Sequence, residues 1–177
     1  MNTYVALFRG INIGGKNILP MKDLVGILEG IGCENVIPYI QSGNAVFRAR
    51  ENKTKKLAEE IGSEIKKSHG FKPEVLLIGV GELEDAVRKN PFKTTEGKSL
   101  HFFFLESTPV KPDLDKLEKL KSSSEEFKLD KKIFYLYAQD GIGHSKLAAK
   151  VEQALGVRTT SRNWNSVSRL MEMVNQA

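Results

Sequence analysis

The chain has 177 residues, 40% hydrophobic and 28% charged, a balance that excludes an intrinsically disordered chain and predicts one large domain or two small ones. Its 27 Lys and Arg against 22 Asp and Glu leave a formal charge of +5, milder than a dedicated nucleic-acid binder carries. A lone cysteine, Cys33, excludes a disulfide framework and a thiolate metal cluster, and no apolar run reaches the ~18 residues a membrane span needs.

The start, Met1-Asn2-Thr3-Tyr4, lacks the charged region that opens a signal peptide, so a cytoplasmic, reducing location and no membrane partner are expected. Tyr4-Val5-Ala6-Leu7-Phe8 predicts a buried strand, followed by a Gly-rich loop over 9–17. Leu24, Ile27, Leu28 and Ile31 mark one face of a helix that Gly32 ends. Residues 36–41 predict a strand, with Pro38 pointing to a sheet edge or a bulge. Ser42-Gly43-Asn44 predicts a tight turn, and Ala45-Val46-Phe47 its partner strand. Leu57, Ile61 and Ile65 mark a second helix, and 74–78 the next strand. A short helix over 83–89 then stops at Asn90-Pro91-Phe92.

The same order recurs. Residues 100–105 predict a strand, and Leu114, Leu117 and Leu120 a helix. Strands over 127–129 and 133–138 are joined by the Asp130-Lys131-Lys132 turn. Leu147, Val151 and Leu155 predict one helix closed by Gly156, and 157–160 a short last strand. A terminal helix places Trp164, Val167, Met171 and Val174 on one side. The predicted class is α+β: two ferredoxin-like βαββαβ repeats packed into one compact body, with a C-terminal helix. Residues 1–80 form the first repeat, 81–98 a connecting helix and loop, and 99–177 the second repeat with the terminal helix.

Charge is distributed unevenly. No Asp or Glu occurs over 1–22, 35–50, 141–151 or 153–171. Inside these stretches, Gly10 to Asn17 nearly matches the phosphate-cradling pattern G-x-x-x-x-G-K-[ST]. Asn17 replaces the Mg²⁺-binding hydroxyl, and Pro20 keeps a helix from starting at Lys16, so a nucleotide-hydrolysing loop is not expected. Gln41, Ser42 and Asn44 offer uncharged donors and acceptors beside a strand end. His144 and Lys146 lie where a loop enters a helix, with His144 or Ser145 near its cap. Thr160 or Ser161 is the expected cap of the last helix, which puts Arg162 and Asn163 in its first turn. His69, His101 and His144 stand far apart in sequence without carboxylate company, so no metal site is predicted, and no cofactor either.

Residues 4–17, Tyr39-Ile40-Gln41-Ser42-Gly43-Asn44, Asn90-Pro91-Phe92, 141–147 and 159–164 together resemble the domain of unknown function 1697 family of bacterial proteins. The motif order matches nearly end to end, with Ser161 where Thr is common and His144 where Arg is common. The resemblance implies an α+β fold with two ferredoxin-like repeats. It implies no activity.

The expected site is a basic, amide-rich cleft of Arg9, Asn12, Lys16, Asn17, Gln41, Ser42, Asn44, His144, Lys146, Arg162 and Asn163, formed if loops at like ends of the two repeats converge. Its ligand would be anionic: a phosphorylated small molecule, a nucleotide or a nucleic-acid backbone. Two alternatives stand beside it. One is a structural or protein-interaction module whose motifs only hold turns and the interface between repeats. The other is a metal-independent enzyme acting on a phosphorylated or carboxylated metabolite. The sequence names no reaction and no oligomeric state.

Overall fold

The computed structural model describes residues 1–40 and 43–177; Gln41 and Ser42, two of the expected ligand groups, lie outside the described residues. The chain divides into two units, residues 1–85 with 169–177, and residues 86–168.

The first unit runs β1 (Asn2–Arg9), α1 (Met21–Gly30), β2 (Glu34–Tyr39), β3 (Asn44–Ala49), α2 (Thr54–His69) and β4 (Glu74–Gly79). Its antiparallel sheet has the order β2-β3-β1-β4, the ferredoxin-like arrangement. Tyr4, Ala6 and Phe8 of β1 face the helices and pack with Leu24 and Leu28 of α1 and Leu57, Ile61 and Ile65 of α2. Val5 and Leu7 point the other way and are also fully buried, as is Val46, and Ile78 is nearly so. Burial on both faces is why β1 reads as an unbroken apolar run rather than an alternating one. Each fully buried Leu or Ile contributes about 1.5–3 kcal/mol.

Local chemistry sets the ends of these elements. Gly70 closes α2 in the left-handed conformation, its N–H bonding the Lys66 carbonyl. β2 is an edge strand; its register shifts between Glu34 and Ile37, where Asn35 has φ 52°, so the sheet accommodates Pro38 as expected.

A short helix, α3 (Val80–Arg88), spans the division between the units. Asn90 stops the chain after it: its side chain donates to the Phe92 carbonyl and accepts from the Phe92 N–H.

The second unit repeats the plan with β5 (Leu100–Leu105), α4 (Leu114–Leu120), β6 (Glu125–Asp130), β7 (Ile133–Ala138), α5 (Val151–Leu155) and β8 (Thr159–Asn163), then the start of α6 (Trp164–Val174). The sheet order β6-β7-β5-β8 reproduces that of the first unit. Phe103, Leu105, Phe134 and Leu136 pack against Leu117, Leu147, Val151 and Leu155. Phe102 sits against Tyr135 edge-on at 5.0 Å and near Trp164 at 5.8 Å between ring centres.

Three local expectations need correction. The predicted single helix through Leu147, Val151 and Leu155 is a 3₁₀ turn, Ala148–Lys150, followed by α5, although all three apolar residues are buried. The last strand extends to Asn163 because β5 pairs with it from Thr159 to Asn163, so Arg162 lies in a strand and not in a helix. Consequently neither Thr160 nor Ser161 caps α6; Asn163 does, its Oδ1 accepting the Ser166 N–H at 3.0 Å. The buried side of α6 is Val167, Leu170, Met173 and Val174, while Trp164 and Met171 are half-buried.

Candidate functional site

Antiparallel pairing decides which loops share an end of each unit. In the first unit Leu7 pairs with Asn44, and Arg9 with Glu74. The loop 10–20 and Gly43, just before β3, therefore meet at the C-terminal end of β1. Gly43 seals this end. Its carbonyl accepts the Phe8 N–H at 2.8 Å, its φ is 91°, and a Cβ there would lie 2.8 Å from Ile11 Cδ1 and from Phe8 Cβ. Only glycine meets both conditions.

The loop 10–20 is a small hairpin, not a phosphate cradle. Gly14 and Gly15, with φ of 58° and 73°, make a two-residue turn in which the Lys16 N–H bonds the Ile13 carbonyl at 3.0 Å. Asn12 and Asn17 take left-handed backbone conformations, which asparagine tolerates better than most residues. The Asn12 N–H bonds the Asn17 carbonyl, and Asn17 Nδ2 donates to the Gly10 carbonyl at 2.9 Å. Asn12 also clamps Leu19: Nδ2 donates to its carbonyl at 2.9 Å and Oδ1 accepts its N–H at 2.7 Å. The N–H groups of Asn12, Lys16 and Leu19 are thus spent inside the loop, and α1 begins only at Met21. Lys16 itself is exposed.

Asp23 and Glu74 also lie at this end. Asp23 Oδ2 is 3.0 Å from His69 Nε2, and Glu74 Oε2 is 3.3 Å from Arg9 Nη1. Asn44 is fully buried and donates to the Tyr39 carbonyl at 3.2 Å.

The motif residues of the second unit occupy the other end of their repeat. β7 runs antiparallel to β5 with Leu100 opposite Tyr137, and His101 lies opposite Asn163. The loop 139–147 and the end of β8 therefore meet at the N-terminal end of β5. The premise that the motif loops occupy like ends of the two repeats does not hold.

Acids also return in space. Glu125, at the start of β6, is buried and accepts from the Ser145 hydroxyl and, at 2.9 Å, from the Ser122 N–H. Burial pushes its carboxyl up, but the bonds from Ser145 and Ser122 outweigh that and hold it below the usual carboxylate range. Asp140 accepts from Ser124 Oγ at 2.7 Å. Ser145 Oγ in turn accepts the Ala148 N–H, so it caps the 3₁₀ turn. His144 and Lys146 are exposed. Arg162 is half-buried; burial pushes its pKa down to about 10, and Nη1 donates to the Ser161 carbonyl at 2.8 Å.

Sequence reasoning missed Glu125, which reads as one of many surface acids, and Gly97. The Gly97 carbonyl accepts the Trp164 N–H at 3.2 Å, and a Cβ on Gly97 would run into the Asn165 side chain. Among the described residues no three His, Cys, Asp or Glu side chains group to hold a metal ion, and no helix is long and apolar enough to cross a membrane.

The model for a family of proteins of unknown function, DUF1697, matches residues 1–135. The chain belongs to the DUF1697 family. A conserved bacterial protein from Streptococcus pneumoniae has a similar structure, with a TM-score of 0.76 and 24% identity over 98% of each chain. That likeness concerns the fold alone. Among curated proteins no match was found.

Proposed function

We propose that this DUF1697 member binds an anionic partner at the C-terminal end of β1, through the hairpin 10–20 that carries Lys16. The observation that carries this reading is how the carboxylates at the two motif-bearing ends are engaged. Around 141–146 the carboxylates of Glu125 and Asp140 stand within the same hydrogen-bonded network as the motif serine. At the β1 end the hairpin 10–20 contains no acid, and Asp23 and Glu74 each face a basic side chain. Because the N–H groups of Asn12, Lys16 and Leu19 are spent inside the loop, recognition rests on side-chain charge, which suits an extended anionic surface better than an enclosed single phosphate. Lys22 extends the basic character on the α1 side of the loop.

A second reading has its own support. Asn12, Asn17, Asn44 and Asn163 all bond to backbone groups of their own turns. These four serve as scaffold whether or not the end binds a ligand.

The test is binding of a labelled polyphosphate at low and high salt. Affinity is expected to fall steeply with salt, since exposed charges are screened over ~10 Å at 0.1 M. Lys16→Ala is expected to weaken binding about 2–5-fold, the scale of one exposed charge pair. Lys146→Ala is expected to leave it unchanged. Binding lost through Lys146→Ala and kept by Lys16→Ala would reverse the choice of end.

A further inference from the structure

The end of the first unit is apolar as well as basic. Ile13, Ile18 and Ile40 are 66%, 53% and 48% exposed. Among the described residues of this unit, Met1 is the one other large hydrophobic left so open. Ile13 and Ile18 flank Lys16 on the hairpin, and the Ile40 carbonyl accepts the N–H of Gly43, which sits against Ile11 of the same loop. Exposed apolar patches rimmed by polar residues mark interaction sites.

We infer that the partner is an acidic protein segment that carries aliphatic side chains; this rests on the anion-binding reading above. A nucleic-acid strand answers only half of the surface. Its phosphates pair with Lys16, but its bases need aromatic or guanidinium faces to stack on; isoleucine offers neither, and the Arg9 guanidinium is engaged by Glu74. The sheet cannot act as a base-stacking platform, because Val5, Leu7, Val46 and Ile78 on its helix-free face are buried. An acidic segment with leucine or valine between its carboxylates satisfies both parts: its acids meet Lys16 on a hairpin that carries no acid of its own, and its aliphatic groups cover the isoleucines. That is the usual division of an interface into apolar centre and charged rim. The hairpin is also braced in advance by the Asn12 and Asn17 bonds, so little order is lost on docking.

The experiment measures binding of the full chain, at low salt, to three labelled probes: a short Glu/Leu peptide with leucines at helical spacing, an oligo-glutamate of equal charge, and a thymidine oligonucleotide. The Glu/Leu peptide is expected to bind at least about tenfold tighter than either of the others, the scale of covering one or two aliphatic side chains. Ile13→Ser with Ile18→Ser is expected to erase that margin, and Ile40→Ser alone to reduce it. All three are exposed, so unchanged circular dichroism and melting are expected to accompany these losses. Equal binding of all three probes would overturn the protein-partner assignment and leave the anion reading standing. Tighter binding of the oligonucleotide would do the same and point to nucleic acid. No binding of any probe would overturn both.

Discussion

At the scale of single residues, glycines of similar backbone angle do different jobs. Gly14 and Gly43 both have positive φ, but a Cβ on Gly14 meets open space while one on Gly43 collides with Ile11 and Phe8. Gly14→Ala is expected to cost roughly 1 kcal/mol, the backbone penalty alone. Gly43→Ala adds overpacking and is expected to cost about 2–4 kcal/mol. Urea midpoints of the two variants check the order; equal losses would mean that Gly43 has room to move.

His101 supplies a pH-dependent counterpart. It is buried on β5, one ring nitrogen bonds the Lys98 backbone, and Nε2 has no hydrogen-bond partner among the described residues. Burial pushes its pKa below the ordinary value. The unfolded chain therefore binds a proton there more readily than the folded one. The resulting contribution to stability is fully present above about pH 6.5, the unfolded value, and declines as pH falls below it. His101→Asn is expected to flatten the fall in stability between about pH 7 and pH 5, measured by urea titration. A slope identical to that of the unsubstituted protein would assign the acid sensitivity elsewhere.

Elements show where local pattern stops being sufficient. The apolar spacing of α1, α2 and α4 marks those helices in the sequence, because a period of 3.6 needs only side-chain spacing to be seen. The end of β8 does not yield to that logic. Thr160 and Ser161 are good caps in isolation, but β5 offers hydrogen bonds as far as Asn163, and strand pairing takes the residues that a longer helix would have used. Asn163 is left as the cap. Asn163→Ala is expected to cost about 1 kcal/mol, and Asn163→Asp to retain most of the stability, because a carboxylate both accepts the Ser166 N–H and favours the helix N-terminus. Thermal melting of the two variants separates a lost cap from general disruption of β8, which would lower both equally. The segment that runs through the 3₁₀ turn into α5 is likewise tied by a distant partner. Ser145 is held by Glu125 from β6, so the start of that segment is anchored by a residue twenty positions away.

At the scale of the whole molecule, the repeat was legible as a pattern. Strand and helix follow in the same order twice, and each unit has the same sheet order. Much of this came from residues that report on their own surroundings: β1 as an apolar run, Gly70 and Gly156 as helix stops, Pro38 on an edge strand. The basic, acid-free character of 1–22 and 35–50 was also visible, and antiparallel pairing brings their loops to one end of the first unit. The segment 141–151 looked equally acid-free, yet Glu125 and Asp140 stand beside its motif serine in space or in chain. The sequence by itself determined the elements, the repeat and the residues able to hold unusual backbone angles, because these follow from side-chain period and local sterics. Only the tertiary structure decided which carboxylates neighbour which loops, that Arg162 lies in a strand, and that the two motif clusters occupy unlike ends of their repeats. Those outcomes depend on hydrogen-bond partners and charges supplied by distant segments, and no window along the chain contains them.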